Sequence, residues 1–220
     1  MRRLLVLTAL LAAALATTGC LKKDTTSTIY LRTDGSFEWV VFERDVRSDE
    51  TDAVKRDAEE FGYVDAVARD RHPVAESFRA LGGQDVRTLL LRDTRPYAVM
   101  VEARFDSLTA VFDGQLAGCG VAYDITQTVE GDVTTWRLWA DVGVDGEKLV
   151  DGAGCGAAFS GLSDANDLTI ILQGGTFTKA EGFTLSGSDT AKSDDEATGS
   201  EALKKNNGQL VLSLSWKAAR

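Results

Sequence analysis

Residues 28–44, TIYLRTDGSFEWVVFER, contain two strand-like runs on either side of the dipeptide Asp34-Gly35. Asp-Gly between alternating apolar positions is the strongest short-range signal for a β-hairpin. In the second run, Phe37 and Trp39 occupy one face of the strand, because side chains alternate between the two faces. We therefore predict that this hairpin begins an antiparallel sheet.

Two helices are predicted after the hairpin, at about 48–70 and 73–82. Ser48 suits an N-cap, and Pro73 is favoured at a first helical position. The first helix carries an apolar stripe at helical spacing, formed by Val54, Ala58, Phe61, Val64 and Ala68. We expect this stripe to lie against the sheet.

The remainder of the chain is rich in predicted strands, with a hairpin over 86–105, an alternating run over 121–144 and a final strand at 210–216. Residues 186–207 contain no aromatic side chain, which predicts a flexible loop. Because the helices cluster instead of alternating with strands, we predict an α+β fold. It has antiparallel sheets, two helices on one face and a β-rich C-terminal half, in a single domain over 28–220.

Residues 1–19 predict a secretory signal peptide. Arg2 and Arg3 give a positive start, and an apolar run over 4–16 follows. A positive start, a short apolar run and small residues before a cleavage site are the three parts of such a peptide. The run is shorter than the ~20 apolar residues that a transmembrane helix needs.

The sequence Leu15-Ala-Thr-Thr-Gly-Cys20 resembles the lipobox of bacterial lipoproteins, with Thr17 where leucine is usual. The resemblance implies that Cys20 is acylated, becomes the first mature residue and is followed by a short tether over 20–27. It implies a membrane-anchored, extracytoplasmic protein of the cell envelope, and Leu21 favours the outer membrane if the host has two membranes. The alternative is an ordinary signal peptide with an incidental cysteine.

Cys119 and Cys155 are each flanked by two glycines. An even pair of cysteines outside the cytoplasm predicts a disulfide bond. Closing a loop of ~36 residues would contribute roughly 3–4 kcal/mol in the chain-entropy model. A reactive thiol and a metal pair are the alternatives, but the chain has only one histidine to support either.

The composition excludes several classes of function. The chain has 34 acidic and 24 basic residues, and a net charge of -10 disfavours nucleic acid as a partner. One histidine leaves little for zinc sites or Cys-His catalysis, and no phosphate-binding glycine motif is present. We predict no catalytic residues, no cofactor and no metal.

Two features remain as candidates. Trp139, Arg137 and Asp141 are predicted to share one strand face, where Trp139 would be an exposed binding aromatic or a partly covered sheet residue. His72 is expected to be a surface residue at a helix start instead of a catalytic base.

The leading hypothesis is a lipid-anchored, non-enzymatic binding or structural module for an envelope protein or component. A second hypothesis is a lipid or small-molecule carrier with a pocket between the two helices and the sheet. A third is an extracytoplasmic hydrolase, for which the sequence marks no nucleophile, base or metal site. The layout of lipobox, early Asp-Gly hairpin and following helices loosely resembles mycobacterial LppM-like lipoproteins, and this resemblance transfers no residue.

Overall fold

The computed structural model describes residues 21–143, 168–193 and 200–219. Within them the fold is α+β, with a seven-stranded and a four-stranded sheet, which confirms the predicted class. The predicted signal peptide, Cys20 and Cys155 lie outside the described residues.

The bounds of the helices and strands are as follows, in chain order. They are β1 (Leu21–Arg32), β2 (Phe37–Ser48), α1 (Ala53–Ala68), α2 (Pro73–Ala80), β3 (Gln84–Arg92), β4 (Tyr97–Phe105), α3 (Leu108–Ala117), β5 (Tyr123–Glu130), β6 (Val133–Asp141), β7 (Leu168–Gln173), β8 (Gly175–Glu181), β9 (Phe183–Ser186), β10 (Thr190–Ser193), α4 (Ser200–Lys205) and β11 (Gln209–Ala218).

The larger sheet has the strand order β3-β4-β2-β1-β7-β10-β9, and the smaller one β5-β6-β11-β8. Neighbouring strands are antiparallel, as predicted, except for β1 and β7, which pair in parallel. The predicted hairpin is present as β1 and β2, and it occupies the centre of the larger sheet.

The predicted tether is wrong over residues 21–27, because β1 begins at Leu21. Leu21 pairs with Ser48 at the end of β2, and the pairing continues to the Asp34-Gly35 turn. Threonine, which occupies positions 25, 26 and 28, is a favoured residue in strands. The domain therefore starts one residue after Cys20.

The two predicted helices are present but shorter than predicted. The first begins at Ala53, because the side chain of Asp52 caps it by accepting hydrogen bonds from the backbone N–H groups of Val54 and Lys55. Ser48, the predicted N-cap, is instead the last residue of β2. The second helix begins at Pro73 as predicted and ends at Ala80.

The orientation predicted for α1 is wrong. The helix buries Glu60, Tyr63 and Val67. Four of the five predicted stripe residues are exposed instead, namely Val54 (79%), Ala58, Phe61 (71%) and Ala68, and Val64 alone is partly buried. Apolar spacing alone did not identify the buried face, because two of the three buried side chains are polar.

The smaller sheet and α3 complete the core. Residues 107–112, where the sequence allows a helix or a strand, form the start of α3, whose N-cap is Ser107. Phe112 of α3 packs against Trp136 of β6, with 5.2 Å between ring centroids. Trp216 of β11 donates a hydrogen bond to the carbonyl of Thr33 at 3.1 Å, which connects the smaller sheet to the β1–β2 turn.

The loop predicted at 186–207 is wrong where the structure describes it. Residues 190–193 form β10, which pairs with β7 and β9, and residues 200–205 form α4. Strands β8 and β9 are separated by Gly182 alone, which has a φ of +74°.

Candidate functional site

The most unusual side chain of the larger sheet is a buried carboxylate. Glu43 lies on β2, on the same face as Trp39 and Val41, and is 1% exposed. A carboxylate removed from water is costly unless it is paired and hydrogen-bonded. The partners of Glu43 therefore define a candidate site.

Three elements supply those partners. Lys23 of β1 donates to Glu43 Oε1 at 2.7 Å, and the Tyr63 hydroxyl of α1 donates to Oε2 at 2.6 Å. His72, the residue before α2, places Nε2 at 3.3 Å from the same Oε2. We call these four residues the Glu43 cluster.

The cluster fixes protonation states. Burial raises the pKa of Glu43, but the contacts with His72, Lys23 and Tyr63 outweigh burial and lower that pKa to about 2. Burial, followed by the charge of Glu43 and the hydrogen bond to it, raises the pKa of Tyr63. At neutral pH, Glu43 is therefore ionised and Tyr63 carries its proton.

A second buried carboxylate lies on α1, one turn before Tyr63. Glu60 is 1% exposed, and it accepts hydrogen bonds from Arg95 Nε at 2.6 Å and from the backbone N–H of Ser48 at 3.1 Å. Arg95 also donates to Asp57 at 2.7 Å. These contacts connect α1 to the β3–β4 turn and to the end of β2.

The chemistry of the Glu43 cluster is limited by access. His72 is 1% exposed, so the prediction of a surface histidine is wrong. Its ring packs edge-on against Tyr63, with 5.5 Å between centroids. A general base must reach the proton that it removes, and neither His72 nor Glu43 has an open face. The arrangement suits holding α1 and α2 on the sheet.

An open depression of about 560 Å³ lies beside this cluster, at the first described residues. It forms where the β1–β2 register shifts between Lys22 and Asp24, and where Asp45 has a φ of +51°. Three basic and two acidic side chains contribute to its lining, which consists of Leu21, Lys22, Lys23, Asp24, Asp45 and Arg47. Lys23 belongs both to this lining and to the Glu43 cluster.

The predicted binding surface lies elsewhere, on β6 of the smaller sheet. Arg137 is exposed, and Trp139 and Asp141 are half-buried. Strand alternation places all three on one face, as predicted, but none of them joins the Glu43 cluster. A binding role for this face stays a prediction.

Of the three cysteines, Cys119 is the one that lies within the described residues. Cys119 follows the end of α3, is 4% exposed and has Sγ at 3.2 Å from the carbonyl oxygen of Gln115. Cys20 and Cys155 lie outside the described residues, so lipidation and the disulfide stay predictions. Across residues 21–143, 168–193 and 200–219, no cluster of three acidic, histidine or cysteine side chains is arranged to hold a metal ion.

Sequence reasoning missed Glu43, Glu60, Tyr63 and Lys23. One signal for Glu43 was available, since it occupies the inward register of Phe37, Trp39 and Val41. A charge in such a register requires partners from elsewhere in the fold. The sequence does not specify those partners, because they come from three separate elements.

No protein-family model and no curated protein matches the chain. Among solved structures, the chain is similar to the NMR structure of the folded domain of the Mycobacterium tuberculosis LppM protein, with 11% identity. The match covers 93% of this chain and 94% of that one, with a TM-score of 0.37. This is the group that the sequence layout resembles, and a similarity of this size carries no inference about function.

None of the helices in the described part of the chain is both long enough and apolar enough to cross a membrane.

Proposed function

We propose that this protein is a lipid-anchored lipoprotein of the cell envelope whose α+β domain is a non-enzymatic binding or structural module. The observation that carries the proposal is the start of β1 at Leu21, one residue after the lipobox cysteine. Acyl chains on Cys20 would hold the domain against the membrane without a flexible tether. Two or three acyl chains give firm anchoring, whereas a single chain binds only marginally.

The burial of the sole histidine supports a non-enzymatic role. His72 and Glu43 are both enclosed between the sheet and the helices, so this acid–base pair has no route to a substrate. The pairing serves instead to attach α1 and α2 to β2.

Anchoring is tested by substitutions in the lipobox. Cys20→Ala should abolish the incorporation of labelled palmitate and leave an unprocessed precursor, because the acylated thiol is lost. Thr17→Leu is the matched control, since it restores the usual lipobox residue, and it should be labelled at least as well as wild type. Undiminished labelling of Cys20→Ala would refute the anchor.

A carrier function is the second candidate, and the depression at Leu21–Arg47 favours it. Its volume of about 560 Å³ lies within the range of small-molecule sites, but the depression is open and five of its six lining residues are charged, so it suits a small polar ligand and not a lipid tail. The space between the helices and the sheet, where the sequence-based hypothesis placed the pocket, is filled by aromatic rings. Phe78 of α2 lies 5.2 Å from Trp39 and 5.6 Å from Phe105, between ring centroids.

Native mass spectrometry of the mature domain, purified from its own envelope without acylated Cys20, separates the two candidates. A bound molecule that survives desalting and is lost on Lys22→Glu would favour the carrier. An empty domain would favour the binding module, whose partner would then be sought by crosslinking in cells.

A further inference from the structure

The outward face of α1 carries apolar side chains that nothing in the described residues covers. Val54 is 79% and Phe61 71% exposed, and Ala58 between them is also exposed. Positions 54, 58 and 61 follow helical spacing, so they form one continuous apolar strip. We call these three residues the α1 strip.

Buried polar contacts determine this orientation. On the opposite side of the helix, Glu60 binds Arg95 and Ser48, while Tyr63 binds Glu43. Rotating α1 to bury the strip would break all of these contacts. Glu43 would lose its bond from Tyr63, and its buried charge would be less well compensated, which is costly. The apolar face is therefore held towards solvent by the same residues that attach the helix to the sheet.

The strip also lies near the predicted lipid anchor. Leu21, the residue after Cys20, pairs with Ser48, and the backbone N–H of Ser48 donates to Glu60 of α1. Lys22 and Asp49 are 3.6 Å apart, between Nζ and Oδ2, at the same end of the sheet. Since α1 begins at Ala53, its first turns, which carry Val54, start at the anchored end.

We propose that the α1 strip contacts the surface of the phospholipid bilayer in which Cys20 is anchored. The proposal rests on the lipid anchor proposed above. Two large apolar side chains are too few for a stable protein–protein interface, which buries about 800 Å² per partner. A contact beside an anchor needs little affinity of its own, because tethering makes its formation intramolecular.

The charges around the strip are compatible with this surface. Asp57 is paired with Arg95, and Asp65 is paired with Arg69 and Arg71. These arginines offset the acidic groups that would otherwise face lipid phosphates. Phe61 and Val54 can therefore enter the interfacial layer, as the apolar face of an amphipathic helix does.

Spin labels on the full acylated chain test the proposal. The protein is reconstituted in vesicles of phosphatidylethanolamine and phosphatidylglycerol, with a nitroxide attached at Phe61→Cys. We expect the ratio of oxygen to nickel-complex collisions at this label to be several-fold higher in the vesicle-bound acylated chain than in a reference chain in buffer that lacks residues 1–20. This reference carries neither the signal peptide nor an acylated cysteine. Val54→Cys should behave in the same way, and both sites are exposed enough to tolerate the change.

Val129→Cys is the matched control. Val129 is 68% exposed, but Gln127, two residues before it, packs against Gly35 of the β1–β2 turn. This turn lies at the other end of the 12-residue strand β1, roughly 40 Å from the anchor. Its collision ratio should not change on reconstitution. Wild-type protein, which lacks an introduced cysteine, is treated with the same nitroxide reagent. Its signal measures how much label the native cysteines take up.

The outcomes separate the two proposals. If the acylated chain floats with the vesicles but labels at 54 and 61 behave like the label at 129, the membrane contact is overturned and the anchor stands. If low access to both oxygen and nickel appears only at high protein density, a second copy covers the strip, and the proposal is equally overturned. If wild type is neither acylated nor found with vesicles, the anchor itself fails.

Discussion

At the scale of single residues, the stability of the larger sheet depends on a charge in its interior. Glu43 has three partners within 3.3 Å, and each comes from a different element. A buried ion pair contributes little compared with an apolar replacement, but removing one member leaves uncompensated charge. The Glu43 cluster is thus best understood as a device that fixes where the helices attach.

Replacing Glu43 by glutamine should destabilise the domain by about 3 kcal/mol, because the change leaves the Lys23 ammonium without its carboxylate and weakens the bond from Tyr63. Urea unfolding of the mature domain measures the loss. Glu38→Gln is the control on the same strand, since Glu38 is half-exposed and faces the other side, and its effect should stay within about 0.5 kcal/mol. Equal losses for the two variants would contradict the assignment.

The same carboxylate predicts a pH dependence. The pKa of Glu43 falls from 4.5 to about 2 on folding, which corresponds to about 3 kcal/mol. Because the folded pKa is the lower one, this stability is complete above pH 4.5 and disappears as the pH falls to about 2. The difference in unfolding free energy between wild type and Glu43→Gln should therefore shrink over this interval. A difference that stays constant down to pH 2 would show that the carboxylate is not stabilised in the fold.

At the scale of elements, the sequence predicts strands better than it predicts orientations. β4 ends at residue 105, where the predicted hairpin over 86–105 ends, and β2, β6 and β11 lie where alternation of apolar residues places them. Alternation of apolar residues involves only neighbouring positions along the chain, so it can be recognised from the sequence alone. The orientation of α1 depends on Arg95 and Glu43, which are distant in sequence from Glu60 and Tyr63. No local pattern contains that information, and the candidate site was missed for the same reason.

The break between β8 and β9 is also a tertiary effect, and it can be tested at Gly182. A Cβ added there would lie 2.5 Å from Leu212 Cδ2 and 2.8 Å from the carbonyl oxygen of Val211. Gly182→Ala should cost about 3 kcal/mol, from the positive φ and from this close contact. Gly187→Ala is the control, because its φ is also positive but nothing lies closer than 3.9 Å, and it should cost about 1 kcal/mol. Thermal unfolding measures both variants. If Gly182→Ala and Gly187→Ala lower the unfolding free energy by similar amounts, the close contact between residue 182 and β11 carries no penalty of its own.

At the scale of the whole molecule, the two sheets share one cluster of buried residues. Trp216 joins the smaller sheet to the β1–β2 turn through Thr33, and α3 packs on β6 through Phe112. The predicted anchor and the α1 strip lie at the opposite end of β1 from this turn. In the proposed arrangement, the membrane would lie at the end of β1 that carries Leu21, and the smaller sheet lies at the other end.

The predicted disulfide would add a covalent link to the half of the molecule that is distant from the anchor. Cys119 follows the end of α3, is 4% exposed and belongs to the same buried cluster as Phe112 and Trp136. If it is bridged to Cys155, a chain with Cys20→Ala that is unfolded without reductant should expose no free thiol and, after reduction, two. Reduction should lower the unfolding free energy by roughly 3–4 kcal/mol, since the closed loop spans ~36 residues. The double variant Cys119→Ala/Cys155→Ala should not respond to reductant, and two thiols before reduction would exclude the bridge.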